Sequence, residues 1–306
     1  MKKVLVVRGG ISSERDISLN GGQVVADALK KAGYTVVTHD LTEDTDALIR
    51  VLQREKPDVV FNALHGRGGE DGWLPGLLNL MRIPYTHSGV LASSIGMNKN
   101  MARQLAQSVG IRIPKGALMT REAFLAAEPE RPYVIKPNSN GSSVGVFIVG
   151  SDADKEQALA SWPETEEKMV ERYVPGRELS VAVLDGKALG IVEIVPKEGY
   201  YDFQNKYTAG AAEHLIPAPV TPDVARQACD WAEKIHNLLK CRGVSRTDFR
   251  LNDVADPKSP RLFFLEINTH PGMTNLSLVP DIARISAGIG YEELVSRLVE
   301  EAVCDP

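Results

Sequence analysis

The stretch KKVLVVRGGISSERDISLNGGQVVADALKKAGYTVVTH, from Lys2 to His39, decides the fold class of the first third of the chain. Lys2–Val7 is a short apolar run typical of a buried strand, and Ser18–Ala32 carries apolar residues at helical spacing until Gly33. Tyr34–His39 then predicts a second strand. The alternation continues with a helix at 44–55, a strand at 58–64, a helix at 73–81 and a strand at 84–86. Because strands that alternate with helices form a parallel sheet covered on both faces, the sequence predicts an N-terminal α/β domain.

The pattern changes near residues 88–100, and from Arg112 onward strands follow one another with fewer helices between them. Ser151 with Asp154 is typical of a capping box at the start of a helix, and Thr221 caps a long second helix. The segment 196–215 is polar and has no period, which is typical of a functional loop. We therefore expect an α+β region with mostly antiparallel pairing, with strands at 133–138, 146–149, 168–174, 178–184, 188–195, 244–251 and 261–268.

Composition limits the classes of function. The chain has 306 residues, so we expect two or three domains, since a single core stops growing at roughly 250–300 residues. A net charge of −5 argues against non-specific nucleic-acid binding, which needs an excess of Lys and Arg. Three cysteines without a metal or disulfide spacing are typical of a reducing compartment. The apolar run near the N-terminus is too short for a signal peptide, and no run is long enough for a membrane span, so we expect a soluble cytoplasmic protein.

A glycine- and serine-rich loop is the first candidate for a binding site. It reads NSNGSSVG, from Asn138 to Gly145, and joins two short strands. Glycine lets backbone N–H groups approach an anion, and serine adds hydroxyl donors. Lys136, just upstream in an apolar strand, needs a buried partner that a nucleotide phosphate could supply. The alternative interpretation is an ordinary Gly/Ser hairpin turn.

A polar cluster on two neighbouring strands is the second candidate. Arg246 and Asp248 share a face of one predicted strand, and Glu266 and Asn268 share a face of the next. Carboxylate and amide oxygens suit Mg²⁺, and a nearby arginine could hold a transferring phosphoryl group. The alternative is a structural salt bridge between the two strands.

Three loops complete the candidates. Gly9–Arg15 and His65–Gly72 follow predicted parallel strands, so Glu14 and His65 would lie at the ligand-binding edge of the sheet. The loop Thr269–Leu278 could offer the Gly272 N–H to an oxyanion and the Ser277 hydroxyl to a carboxylate. Each of these residues could equally be an ordinary loop residue, and we expect His270 to have a surface or capping role. The absence of HExxH and GxSxG argues against a zinc hydrolase and an α/β-hydrolase.

These stretches together resemble the D-alanine–D-alanine ligases, a family of the ATP-grasp superfamily. The resemblance extends from residue 4 to about residue 300, and the runs HGRGGEDG and ExNTxPGMT are its most specific parts. The matching stretches are GGISSERDISL (9–19), LHGRGGEDG (64–72), IKP (135–137), GSSVG (141–145), ERYVPGRE (171–178), Lys206 with Tyr207, RTD (246–248), LEINTHPGMT (265–274) and SLVP (277–280).

The resemblance implies an ATP-grasp fold that follows an N-terminal parallel-sheet (preATP-grasp) domain. The expected domains are 1–96, 97–180 and 181–306, the last with a mobile loop at 196–215. The implied activity is ATP-dependent joining of two D-alanines through an acyl phosphate, for peptidoglycan precursor synthesis and cell wall biogenesis. ATP and two Mg²⁺ (or Mn²⁺) ions would take part, and the protein would be a homodimer that binds neither nucleic acid nor membrane.

The resemblance also implies roles for individual residues. The catalytic set would be Glu14, Ser142, Tyr207, Arg246, Gly272 and Ser277. The substrate-binding set would be Glu14, His65, Arg246, Gly272, Ser277 and Leu278. ATP would be bound by Lys99, Lys136, Ser142, Ser143, Glu171, Arg172, Val174, Glu178 and Lys206. The metal ligands would be Asp248, Glu266 and Asn268.

Two alternatives stay open at this point. The same fold could join D-alanine to D-lactate or D-serine, although Tyr207 resembles the dipeptide-forming enzymes. A non-catalytic ATP-binding regulator is also conceivable, although Arg246 together with the metal ligands argues against it. His270 departs from the family pattern, in which a serine or another small residue is more common, and we expect no effect on the type of reaction.

Overall fold

The chain is organised around three sheets in the computed structural model, which describes residues 2–127, 129–139, 145–197, 212–274 and 277–305. The first sheet is parallel, with the strand order β2-β1-β3. Strand β1 is almost wholly buried because helices cover both of its faces. This confirms the predicted α/β unit. Its elements are β1 (Lys3–Gly9), α1 (Arg15–Lys31), β2 (Thr35–Leu41), α2 (Thr45–Glu55), β3 (Val59–Asn62) and α3 (Trp73–Met81).

Two predicted elements of this unit differ in the structure. Helix α1 begins at Arg15 rather than Ser18, with Glu14 as the residue that precedes it. The backbone already turns here, because the Ser18 N–H donates to the Glu14 carbonyl at 3.0 Å. The predicted strand 84–86 is reduced to Tyr85, which bridges Val60 in parallel and Val303 in antiparallel fashion.

Helices α4 (Val90–Met97) and α5 (Lys99–Ser108) follow, and the sequence did not predict them. Helix α4 has Ser, Gly and Ala at several positions, so its helical periodicity is weak. Asn98 caps α5, since its side chain accepts a hydrogen bond from Met101 N.

The second sheet is small and antiparallel, in the order β4-β7-β5-β6, with its own core beneath Phe124 and Trp162. Ser151 and Asp154 form the predicted capping box of the helix that covers it. Strand β4 and helix α6 were not predicted. The elements are β4 (Gly116–Met119), α6 (Arg121–Ala127), β5 (Tyr133–Pro137), β6 (Phe147–Val149), α7 (Asp152–Ala160) and β7 (Lys168–Arg172).

The third sheet is antiparallel, as the sequence predicted for this part of the chain, and its strands lie in the order β10-β9-β8-β11-β12. Strand β10 was not predicted, since its residues lie within the expected loop 196–215. One face packs on helices α5 and α8 and the other on α9, while α10 packs on α1 of the first sheet. The first and third sheets therefore share one core. The elements are β8 (Arg177–Leu184), β9 (Lys187–Pro196), β10 (Ala212–Leu215), α8 (Pro222–Leu238), β11 (Val244–Asn252), β12 (Arg261–Asn268), α9 (Leu278–Ala287) and α10 (Tyr291–Glu300). Among the described residues, no helix has the length and apolar character needed to cross a bilayer.

Candidate active site

The polar cluster predicted on two strands lies on one face of the third sheet. In the antiparallel pair β11 and β12, Arg246 is opposite Asn268 and Asp248 is opposite Glu266. Since directly opposite residues point to the same face, the four side chains form one polar patch. Asp248 is buried and the other three are half-buried.

Cations hold both carboxylates of this patch. Arg246 forms a bidentate ion pair with Asp248, donating from Nε to Oδ1 at 2.9 Å and from Nη2 to Oδ2 at 2.8 Å. The hydroxyl of Ser180, on neighbouring strand β8, donates to Asp248 Oδ1. Lys99 Nζ lies 3.1 Å from Glu266 Oε2. These ion pairs differ from the alternative interpretation, a salt bridge between the two strands, because Arg246 and Asp248 both lie on β11 and Lys99 lies on α5. Ser180 was missed because a serine in an apolar strand gives no sequence signal.

The donor set on this face matches a magnesium ion in its chemistry. Asp248, Glu266 and Asn268 supply two carboxylates and one amide oxygen, which are hard ligands, and phosphate oxygens or water would complete the coordination. The amide oxygen of Asn268 also accepts the backbone N–H of His270 at 2.9 Å, which fixes its orientation. Throughout the described ranges, no group of three or more His, Cys, Asp or Glu side chains is assembled to hold a metal.

A buried trio of charges lies at the edge of the second sheet. Lys136 Nζ on β5 donates to Glu171 Oε1 on β7 at 2.6 Å. Arg103 on α5 donates from Nη1 to the other carboxylate oxygen, Glu171 Oε2, at 2.5 Å. The partner of the lysine in the IKP strand is here the carboxylate of Glu171, whereas the sequence suggested a nucleotide phosphate. Sequence reasoning did not find Arg103.

The residues expected around a nucleoside lie at the end of β7, at the start of β8 and on the short connection between them. Arg172 is exposed at the end of β7, whereas Val174 is buried and its carbonyl accepts Arg250 Nε at 3.2 Å. The carboxylate of Glu178 lies 3.6 Å from Arg250 Nη1. Arg250, a further residue missed at the sequence level, thus ties this segment to β11.

Glu14 and His65 lie together at the carboxyl edge of the first sheet, as predicted. Both are buried, with 6 % and 7 % of their surfaces exposed. The hydroxyl of Ser12 links their loops, since it accepts Glu14 N at 3.2 Å and donates to the His65 carbonyl at 2.7 Å. Gly66 has a φ of +67°, and a Cβ there would lie 3.0 Å from Glu14 Oε2. A glycine is therefore required for the two loops to approach so closely.

The loop after β12 approaches the same edge. A Cβ at Gly272 would lie 2.8 Å from Ser277 Oγ and 3.9 Å from His65 Cε1. Ser277 Oγ accepts the Thr274 N–H at 2.9 Å and directly precedes Leu278, the first residue of α9. The start of a helix presents free N–H groups and a partial positive charge, which suit a carboxylate.

His270 is deeply buried, contrary to the surface or capping role expected from the sequence. Its ring stacks on that of His87 with centroids 3.9 Å apart, and its Nδ1 accepts the side-chain N–H of Asn62 at 3.2 Å. Burial lowers the pKa of His87 to about 3 and holds the pKa of His270 well below its usual range. The pair is therefore neutral at physiological pH.

The structure thus brings most of the candidate residues into two adjoining groups. The first surrounds the face of β11 and β12, and the second lies between the first sheet and the start of α9. The loop 269–274 joins them. Ser142, Ser143, Lys206 and Tyr207 lie outside the described residues, as does most of the predicted mobile loop 196–215.

Comparisons with known proteins give a consistent result. The family model described as "D-ala D-ala ligase C-terminus" matches residues 105–300. The chain is 47 % identical over 306 residues to the D-alanine–D-alanine ligase of Paramagnetospirillum magneticum, with 99 % of both chains covered. The corresponding ligase of Rhodospirillum rubrum is also 47 % identical over 306 residues, with the same coverage.

Solved structures agree with these relatives. The crystal structure of the D-alanine–D-alanine ligase from Bacillus anthracis superimposes with a TM-score of 0.84 at 30 % identity, over 98 % of this chain and 97 % of that one. The structure of the Bacillus anthracis ligase complexed with ATP gives a TM-score of 0.82 at 30 % identity, over 98 % and 96 % of the two chains.

Proposed function

The chain belongs to the D-alanine–D-alanine ligase family. From that premise we propose the role of each site residue in the ATP-dependent joining of two D-alanines. It is an ATP-binding ligase with the ATP-grasp fold, which acts in peptidoglycan synthesis. One observation carries the assignment of roles. The polar face of Arg246, Asp248, Glu266 and Asn268 continues directly into the loop whose Gly272 lies beside His65.

The first step is phosphoryl transfer to D-alanine. Glu14 is a buried carboxylate, so it suits the ammonium of the first D-alanine, and Ser142 and Tyr207 would join it in a hydroxyl network. A carboxylate oxygen of that D-alanine attacks the γ-phosphorus of ATP, the bond to the β–γ bridging oxygen breaks, and an acyl phosphate and ADP result. Lys99, Lys136 and Lys206 offset the charge of the phosphates during this transfer.

The second step forms the peptide bond. The deprotonated amine of the second D-alanine attacks the acyl carbon, and inorganic phosphate leaves from the tetrahedral intermediate. Arg246 and the N–H of Gly272 would face its oxyanion, while Ser277 Oγ and the Leu278 N–H would receive the carboxylate of the incoming D-alanine. His65 is buried with its ring beside Gly272, and it would shape the substrate pocket.

We propose two Mg²⁺ (or Mn²⁺) ions held by Asp248, Glu266 and Asn268. When bound, they neutralise phosphate charge and align the phosphates with the attacking carboxylate. The same reasoning assigns Glu171, Arg172 and Val174 to the adenine, Glu178 to the ribose, and Ser142 and Ser143 to the phosphates.

The test is an ADP-release assay over a panel of D- and L-amino acids, with identification of the product. We expect ADP only when D-alanine is present, and D-alanyl-D-alanine as the product. Turnover that depends on L-alanine and ignores D-alanine would contradict the assignment. Mixtures with D-lactate or D-serine test the alternative that the second substrate is a different D-acid, which the curated relatives do not favour.

We also propose a division into domains, a segment that covers the site and a cellular location. The division into domains at 1–96, 97–180 and 181–306 is supported by the three separate sheets, although β8 pairs within the third sheet from Arg177. The predicted loop 196–215 is shorter than expected, since Pro196 ends β9 and Ala212–Leu215 form β10. The segment between these two strands would cover the site, since an acyl phosphate must be shielded from water. The use of ATP supports a cytoplasmic location.

We also propose a homodimer. Trp73, Leu80 and Leu91 on α3 and α4 are 55 %, 87 % and 64 % exposed, and an exposed apolar patch of this kind is typical of a protein contact. Sedimentation of the wild-type protein and of L80K checks this. A wild-type monomer at micromolar concentration would refute it.

A further inference from the structure

Arg103 is a buried arginine to which the proposed mechanism gives no role. It lies on α5 and is 2 % exposed, although its guanidinium cannot lose its charge. Nη1 donates to Glu171 Oε2 at 2.5 Å, and Nη2 donates to the carbonyl of Pro114. A fully buried arginine is rare unless its charge is paired, so the pairing with Glu171 is the main reason that it can be there.

Glu171 is shared between two cations. Its Oε2 faces Arg103, and its Oε1 accepts a hydrogen bond from Lys136 Nζ at 2.6 Å. The three side chains are 2 %, 3 % and 8 % exposed in the order Arg103, Glu171, Lys136. The trio is nearly shielded from solvent and carries a net positive charge. One cation is enough to balance the charge of Glu171, so the second is in excess.

We infer that Arg103 is a positioning residue for Lys136, acting through Glu171, an inference that rests on the proposed role of Lys136 in binding a phosphate of ATP. To bind that phosphate, Lys136 must share or give up its hydrogen bond to Glu171. Breaking a buried ion pair is strongly unfavourable when a charge is left without a partner. Because Arg103 stays on Oε2, Glu171 keeps a partner while the Lys136 ammonium turns to the nucleotide.

The attachment of α5 supports this assignment. The backbone N–H of Lys99 donates to the carbonyl of Asn138 at 3.0 Å, and that of Asn100 donates to Asn138 Oδ1 at 2.9 Å. Helix α5 is thus fixed to the end of β5, the strand that carries Lys136. Lys99 and Arg103 are four residues apart and lie on one face of α5, so a single helix directs one cation to Glu266 and another to Glu171.

The competing explanation is that Arg103 is a strut that holds α5 against the segment before β4 through the Pro114 carbonyl. The two explanations differ in what Glu171 contributes. A strut is needed whatever residue is at position 171. A positioning residue is needed only while position 171 carries a charge that would otherwise retain Lys136.

The experiment is a double-mutant cycle of R103M and E171Q, read out as the dissociation constant of a non-hydrolysable ATP analogue with Mg²⁺ by calorimetry. We expect R103M to weaken binding about 10- to 100-fold in the otherwise wild-type chain and less than about 3-fold in the E171Q background. R103K keeps the charge and should weaken binding less than R103M does. Equal weakening in both backgrounds, or unchanged binding in R103M, would overturn the inference.

R112M is the matched control, since Arg112 donates at 3.2 Å to the backbone carbonyl of Leu262, close to the end of α5. It should lower the melting temperature without changing the dissociation constant. If R103M does not fold, as judged by its thermal transition, the cycle is run with R103K, whose loss should again be smaller in the E171Q background. A wild-type protein that neither binds the analogue nor forms the dipeptide would refute the proposed function. A wild-type protein that does both, with equal losses in the two backgrounds, would refute the role of Arg103 alone.

Discussion

The substitution Gly272→Ala tests the geometry of the site where the acceptor D-alanine is proposed to bind. Position 272 keeps its backbone N–H in this variant, so the proposed oxyanion donor is retained. The new methyl group would lie 2.8 Å from Ser277 Oγ, whereas a carbon and an oxygen in ordinary contact are about 3.4 Å apart. Ser277 therefore has to move by about half an ångström, or the loop has to move with it.

The size of the effect follows from what holds Ser277. Its hydroxyl is bound to the Thr274 N–H and to Thr274 Oγ1, both at 2.9 Å. Losing one or both hydrogen bonds costs about 0.5–1.5 kcal/mol each, or about 1–3 kcal/mol for the pair. If this energy is lost from binding of the acceptor carboxylate, the KM for the second D-alanine rises about 5- to 150-fold.

The assay is the initial rate of ADP release over a wide range of D-alanine concentrations, which separates the two D-alanine sites. We expect a raised KM for the second D-alanine, with a smaller change in kcat. Gly290→Ala is the matched control, since position 290 precedes α10 and a Cβ there meets no atom within 4 Å. Unchanged KM values in Gly272→Ala would show that Ser277 does not bind the acceptor, and the reasoning would fail.

Three further predictions follow from the structure. Glu266→Gln should reduce Mg²⁺-dependent turnover by about 10³-fold, with an unchanged melting curve, and near-normal activity would remove Glu266 from the metal ligands. Ser180→Ala should weaken activation by Mg²⁺ about 10-fold, because Asp248 loses a hydrogen bond. The control Thr247→Val should leave this activation unchanged, since Thr247 Oγ1 has no hydrogen-bond partner within the described residues. Burial lowers the pKa of His236 to about 4, below that of an unfolded chain, so its contribution to stability is present above pH 6.5 and is lost as the pH falls towards 4. Replacing His236 by Asn should make the unfolding free energy less pH-dependent in this range, by up to about 3 kcal/mol, and an unchanged pH profile in denaturant titrations would contradict this.

The charged cluster illustrates how far local pattern extends. Alternation along a strand determines which side chains share a face, so Arg246 with Asp248, and Glu266 with Asn268, could be paired in advance. The capping box of α7 was predictable for the same reason, since it depends on two residues only three positions apart. Helices α4 and α5 were missed because their apolar residues lie among small and polar ones, and tertiary packing rather than periodicity stabilises them.

The sequence by itself determined the parallel α/β unit, the antiparallel region that follows it, the polar face of two strands and the family to which the chain belongs. Only the tertiary structure decided which distant groups meet. It brings Ser180 to Asp248, Arg103 to Glu171, and His87 to His270. The physical reason is that a side chain's direction is set by its neighbours in the chain, whereas its partner is set by strand register and helix packing. Those depend on burying the whole core at once.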